Sequence, residues 1–175
     1  MNTSGAGALG PLPTTFKVAA IGDQVVSNPQ FTAFPLQLNI PANSPLEGQR
    51  FAIYASGRIT TGVSSTGEIK LWSGTSLTPA SNTLLGDSGA VTAFGPATVP
   101  WFVNADVIFD SVSGHLNGTV GFTVGANVVA AVALSNVVAN IKNTNNPVLT
   151  FVLSVAFGTA NAGNSFTVQE FAVNF

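Results

Sequence analysis

Residues 100–124 read PWFVNADVIFDSVSGHLNGTVGFTV, and the spacing of their apolar groups decides the fold. From Val103 the chain alternates: Val103, Ala105, Val107 and Phe109 fall on one side, Asn104, Asp106 and Asp110 on the other. After the break Asp110-Ser111-Val112-Ser113-Gly114, Leu116, Val120, Phe122 and Val124 share a face opposite His115, Asn117, Thr119 and Thr123. Side chains on a strand change face at every residue, so this pattern predicts two half-buried strands joined by a turn. The remainder of the chain reads as further strands laid around that pair.

Upstream, residues 16–21 predict a short first strand. Residues 33–40 (AFPLQLNI) alternate Phe34, Leu36, Leu38 and Ile40 against Gln37 and Asn39. Pro35 has no amide to donate and pushes that strand toward a sheet edge. Residues 50–61 turn Phe51, Ile53, Ala55, Gly57 and Ile59 inward; small residues follow at 62–67, and residues 68–73 run back, which predicts a hairpin. Residues 74–95 read as a long connection with one or two short strands.

Downstream, residues 125–141 (GANVVAAVALSNVVANI) are dense in apolar groups but interrupted by Asn127, Ser135, Asn136 and Asn140. They fall short of the roughly 18 consecutive apolar residues of a membrane span. Valine runs favour strands, so residues 128–134 are expected as a strand packed on both faces, with a short helix as the alternative. Residues 148–157 (VLTFVLSVAF) are the most apolar strand. In residues 165–175, Phe166 and Val168 share a parity that Phe171, Val173 and Phe175 reverse, the trace a β-bulge leaves near Glu170.

Eight to ten strands with turn residues between them, and no amphipathic helix, predict an all-β fold: an antiparallel β-sandwich. The long loops favour crossing connections of the jelly-roll type. Residues 1–15 (MNTSGAGALGPLPTT) form an irregular N-terminal arm with Leu9 and Leu12 as possible anchors, ahead of a single domain at 16–175. The arm is read either as a disordered terminus or as one that orders against a neighbouring subunit.

Charge is the unusual part of the composition. Asp, Glu, Lys and Arg make up 7% of the 175 residues, against about 25% in ordinary soluble proteins. Asn, Ser and Thr take their place, and such a surface lacks the repulsion that keeps neighbours apart. Both an ordinary β-protein with polar loops and a protein built to pack in an assembly fit that composition. The five basic residues (Lys17, Arg50, Arg58, Lys70 and Lys142) are scattered, so no patch for direct nucleic-acid binding can be drawn. Cysteine is absent, so stability must come from burial, and the N-terminus shows no secretory-signal pattern.

The residues that carry chemistry are few. His115 is the single histidine and lies on the polar face after a turn, where a solvated role is the ordinary one; a nucleophilic triad would have to use it. Asp106 and Asp110 share a strand face but stand about 13 Å apart, too far to share one ion. No phosphate-cradling loop is present, and no catalytic role, metal or other cofactor is expected. Among the aromatics, Tyr54, Trp72 and Trp101 make either a platform for a sugar ring or part of a core or subunit interface.

The series Glu47-Gly48-Gln49-Arg50-Phe51, Ala55-Ser56-Gly57-Arg58-Ile59-Thr60-Thr61-Gly62, Leu71-Trp72-Ser73-Gly74-Thr75-Ser76-Leu77, Trp101-Phe102 with Ala105-Asp106, and Phe109-Asp110-Ser111-Val112-Ser113-Gly114-His115-Leu116-Asn117-Gly118 resembles small jelly-roll proteins of tailed bacteriophages. The likeness covers roughly residues 46–175. It implies a capsid decoration (cement) protein on the exterior of the virion, commonly a homotrimer, that bridges copies of the major capsid protein. On that reading the partner interface is expected at Leu9, Leu12, Phe16, Tyr54, Trp72 and Trp101, with no membrane and no nucleic acid as partner. The competing expectation is a receptor- or carbohydrate-binding jelly roll of a fibre, spike or lectin.

Overall fold

The computed structural model describes residues 15–18, 21–25, 32–39, 50–62, 65–74, 76–91, 98–110, 115–138 and 148–174. Eleven strands are found among them: β1 (Thr15–Val18), β2 (Ile21–Val25), β3 (Thr32–Asn39), β4 (Arg50–Thr60), β5 (Gly67–Gly74), β6 (Thr83–Asp87), β7 (Thr98–Asp110), β8 (His115–Val124), β9 (Asn127–Val138), β10 (Val148–Phe157) and β11 (Ser165–Asn174). One 3-10 turn, Pro79–Ser81, accompanies them. They form two antiparallel sheets. The larger has the order β1-β11-β4-β7-β8-β9, with β2 also pairing with β11; the smaller has the order β3-β10-β5-β6. The all-β antiparallel sandwich expected from the alternation is the observed architecture.

The residues that opened the sequence reading pair as expected, Val103 opposite Phe122 and Phe109 opposite Leu116. Their inward groups, Val103, Val107, Phe109, Leu116, Val120, Phe122 and Val124, are buried. β3 does lie at a sheet edge, with Pro35 opposite Val152 of β10. The bulge is where the parity slips: the β11–β4 register shifts between Val168 and Glu170. That shift returns Phe171 and Val173 to the core beside Phe166 and Val168.

Three expectations change. The strand count exceeds eight to ten because the segment read as one strand at 16–21 is two, β1 and β2, laid along successive parts of β11. Residues 50–61 and 68–73 are not a hairpin: β4 belongs to the larger sheet and β5 to the smaller. Their alternation is real, but it marks two inward faces that oppose each other across the sandwich rather than sharing a ladder. Lastly, β9 is a strand and not a helix, but it is not packed on both faces, because Val128 is 79% exposed.

Two layers of inward side chains fill the space between the sheets. Phe51 of β4 meets Phe151 of β10 across it, ring centroids 6.4 Å apart and tilted by 58°. Within the larger sheet, Trp101 stacks on Phe166 at 4.7 Å and 10°. Gly57 makes that stack possible. It lies opposite both Trp101 and Val168, and a Cβ there would stand 1.8 Å from the Thr167 carbonyl oxygen and 2.8 Å from Trp101 Cζ2.

At one end, the connection from β4 to β5 and that from β10 to β11 cross between the sheets side by side. The buried Asn164 side chain ties them: the Gly62 amide donates to its Oδ1 (2.7 Å), and its Nδ2 donates to the Thr159 carbonyl (2.8 Å). Ser65 Oγ also donates to Thr159 (3.3 Å), and the Gly158 amide donates to the Thr66 carbonyl (2.9 Å). Buried backbone groups in a crossing have no sheet ladder to satisfy them, so this amide supplies the partners.

Candidate interaction surface

The outer face of the larger sheet can be read row by row from its register. One row runs Glu170, Ser56, Phe102, Thr123, Val128 from β11 across to β9. The next runs Ala172, Tyr54, Asn104, Gly121, and a third Asn174, Ala52, Asp106, Thr119, Ala133. Ile108, 45% exposed, follows beside Arg50 and Asn117. Tyr54 and Phe102 are partly exposed, while Ala52, Asn104, Thr119, Val128 and Ala133 are exposed. The middle of this face is therefore aromatic, aliphatic and neutral polar.

The charges in these rows are Glu170 at the end of the first and the Arg50–Asp106 pair in the last two. Arg50 makes a two-pronged salt bridge with Asp106, its Nε and Nη2 each donating to a carboxylate oxygen. Those hydrogen bonds raise the Arg50 pKa and hold the Asp106 carboxyl below the usual carboxylate range. Arg58 stands exposed beyond the Phe102 row, opposite Pro100. At about 4.8 Å between strands and about 6.8 Å between rows, the four rows cover roughly 400 Å².

The smaller sheet presents a different outer face. Lys70 Nζ lies 3.0 Å from Glu68 Oε1 and 3.0 Å from Asp87 Oδ2. Desolvation is the largest influence on the Lys70 ammonium and lowers its pKa, but the hydrogen bonds to Asp87 and Glu68 together outweigh it, so the pKa is raised. Beside this triad, partly exposed Trp72 donates its indole N–H to Ser154 Oγ at 2.8 Å. Tight pairing and a half-buried indole make this face more finished, with less free surface for a partner.

The structure separates the residues singled out from sequence. Tyr54 lies on the outer face of the larger sheet and Trp72 on that of the smaller, so they look away from each other. Trp101 is fully buried in the core and its indole N–H has no acceptor among the described residues. Hence the three aromatics form no common platform, and Trp101 cannot touch a partner. Phe16 lies on β1, opposite Val173; Leu9 and Leu12, with residues 1–14, lie outside the described residues. His115 begins β8 opposite Asp110 and Val138. No group of three or more His, Cys, Asp or Glu suited to a metal is found among the described residues, and none of their helices is long and apolar enough to cross a membrane.

Phe102, Ile108 and Val128 are the surface residues that the sequence reading passed over. The signal for two of them was present: Phe102 and Ile108 have the opposite parity to the buried Trp101-to-Phe109 set. The same parity rule places Trp101, two residues before Val103, inside.

No family model matches this sequence, and no curated protein matches it. Among solved structures, a legume lectin-like domain from Entamoeba histolytica is similar with a TM-score of 0.42 and 10% sequence identity, over 91% of this chain and 89% of that one.

Proposed function

We propose that this protein is a structural component of a phage virion: a decoration, or cement, protein that binds the outer surface of the capsid and bridges neighbouring major capsid protein subunits. The observation that supports the reading is the outer face of the larger sheet, where Tyr54, Phe102 and Val128 stand among short polar groups and Ile108 lies beside the mutually neutralised Arg50–Asp106 pair. Aromatic groups ringed by uncharged polar ones are what a protein interface uses, because they gain from burial without a charge to desolvate. One copy's patch of roughly 400 Å² is about half of one side of a standard interface. A self-associated unit, which the resemblance puts at three copies, engages several sites at once and holds by effective concentration. Bound across subunit junctions, it adds contacts that must break together when the shell is strained.

The test is co-sedimentation with purified mature capsids. Saturable binding with a fixed number of copies, lost on Phe102→Lys with Ile108→Lys while the protein stays folded, is the expected result. Binding that is unaffected by those changes removes this face from the interface, and the absence of binding refutes the role.

A second reading rests on Trp72. Its indole ring, fixed through Ser154, has the chemistry to stack on a sugar, and the Glu68 and Asp87 carboxylates held on Lys70 of the same face can accept hydroxyl protons. Specific retention on a glycan array that disappears with Trp72→Ala would favour a carbohydrate-binding module instead.

A further inference from the structure

The two sheets have edges at β1 and β2, β3, β6 and β9. Most carry the devices that stop a sheet from pairing onward with another chain. β1 and β2 have 4 and 5 residues and include Lys17 and Asp23. β3 holds Pro35. β6 has 5 residues and ends on Asp87. β9 is built otherwise: 12 residues, Asn127–Val138, with no charge and no proline. Its irregularities are the two register shifts in its pairing with β8.

The facing sheet comes close to that edge, with β6 near both β9 and β8, but does not pair with it. Gly86 of β6 lies against Val120 and Phe122, since a Cβ there would meet both at 2.9 Å. Those side chains point inward from β8, so β6 lies over the larger sheet and not in its plane. No described strand pairs with the free side of β9. Next to that side, Val128 is 79% exposed and Ala133 is exposed.

We infer that two copies of this chain join along β9, strand to strand and antiparallel, about a two-fold axis. With the axis between Ala130 and Ala131, the antiparallel seam sets Val128 opposite Ala133 of the partner subunit, so charges placed at both positions meet across it and the uncharged native edge has no such repulsion. β3 is uncharged too but is interrupted by Pro35, whereas β9 offers 12 residues with neither charge nor proline. A three-fold ring made by strand pairing would need a second open edge on every copy, and the other edges described are guarded; the seam therefore gives a pair where the resemblance implies three. Joining at β9 also makes the two outer faces continuous, from roughly 400 to roughly 800 Å², one full side of a standard interface. That last consequence rests on the capsid-binding reading, whereas the seam does not.

The experiment is the solution mass of the full chain by light scattering at micromolar concentration, without capsids. Wild-type protein is expected at twice 17.8 kDa. Val128→Lys with Ala133→Lys is expected at the single mass, its dissociation constant raised roughly tenfold or more by like charges across the seam. Both positions are exposed, so the fold tolerates the change, and far-UV circular dichroism checks that it does. Mixing the double-Lys variant with Val128→Glu, Ala133→Glu is expected to restore the doubled mass. A monomeric wild type overturns the inference, as does a doubled or trebled mass that the Lys variant keeps. A doubled mass that the Lys variant loses supports the seam even if capsids are not bound.

Discussion

Replacing Asn164 with alanine takes away the amide that holds both sheet-crossing connections at one end of the sandwich. Two side-chain hydrogen bonds disappear, from the Gly62 amide at 2.7 Å and to the Thr159 carbonyl at 2.8 Å. The two groups left behind are not equivalent. Thr159 is exposed and keeps Ser65 Oγ as a donor, so its carbonyl is readily satisfied. Gly62 is buried, and an orphaned buried N–H costs about 1–3 kcal/mol. With about 1 kcal/mol for the second bond, the expected loss is roughly 2–4 kcal/mol. For a chain of this length that lowers the melting temperature by roughly 4–16 °C. Urea unfolding followed by the fluorescence of Trp101 should show a lower midpoint with an unchanged slope, since the folded core is retained.

Asn164→Asp sharpens the test. The carboxylate still accepts from Gly62 but faces the Thr159 carbonyl with no proton to give, so the variant should be destabilised at neutral pH. Protonation restores a donor, so its deficit relative to wild type should shrink as the pH falls through the raised pKa of that buried acid. A loss below about 0.5 kcal/mol for Asn164→Ala would show that the crossings do not depend on this amide, the level at which surface substitutions usually act.

Gly57→Ala should be among the most damaging single-methyl additions in the chain, because the contact at 1.8 Å is with backbone and the strand must shift to relieve it. A loss above about 4 kcal/mol, seen as insoluble expression or a collapsed melting temperature, is expected; Gly89→Ala, where φ is +65° but nothing lies within 4 Å, should cost about 1 kcal/mol. A Gly57→Ala protein that melts like wild type would contradict the close approach of β4 and β11. The Arg50–Asp106 pair predicts a small pH effect of definite sign. Because the Asp106 pKa is lowered on folding, its contribution is present above the unfolded value near ~3.9 and is lost as pH falls through the folded one. Asp106→Asn should therefore trail wild type slightly at pH 7 and match it in strong acid, as read from urea midpoints; a gap that widens in acid would reverse the assignment.

Period-two patterning shows which face of each strand is buried, and it was legible wherever one face meets the core. It located the β7–β8 pair and the slip in β11, while the missing amide of Pro35 marked the edge position of β3. What it does not encode is which sheet a strand joins. β4 and β5 alternate just as hairpin arms do, but the deciding contacts lie far along the chain, between Gly62 and Asn164 and between Thr66 and Gly158. The same gap explains the aromatics: parity turns Tyr54 and Trp72 outward, yet outward from different sheets means opposite sides of the molecule. In β9 the density of valine and alanine suggested burial on both faces, whereas Val128 shows that composition without alternation does not say whether anything covers the second face.

β11 follows every other described strand in sequence and sits between β4 on one side and β1 with β2 on the other. During synthesis the larger sheet thus cannot close until residues 165–174 have emerged from the ribosome. Until then β4 waits with a bare edge, and β1 and β2 have no ladder to join. Nascent chains stalled before Ser165 should need chaperone protection, and emergence of β11, rather than growth of the first strands, should be the event that commits the larger sheet to its native pairing.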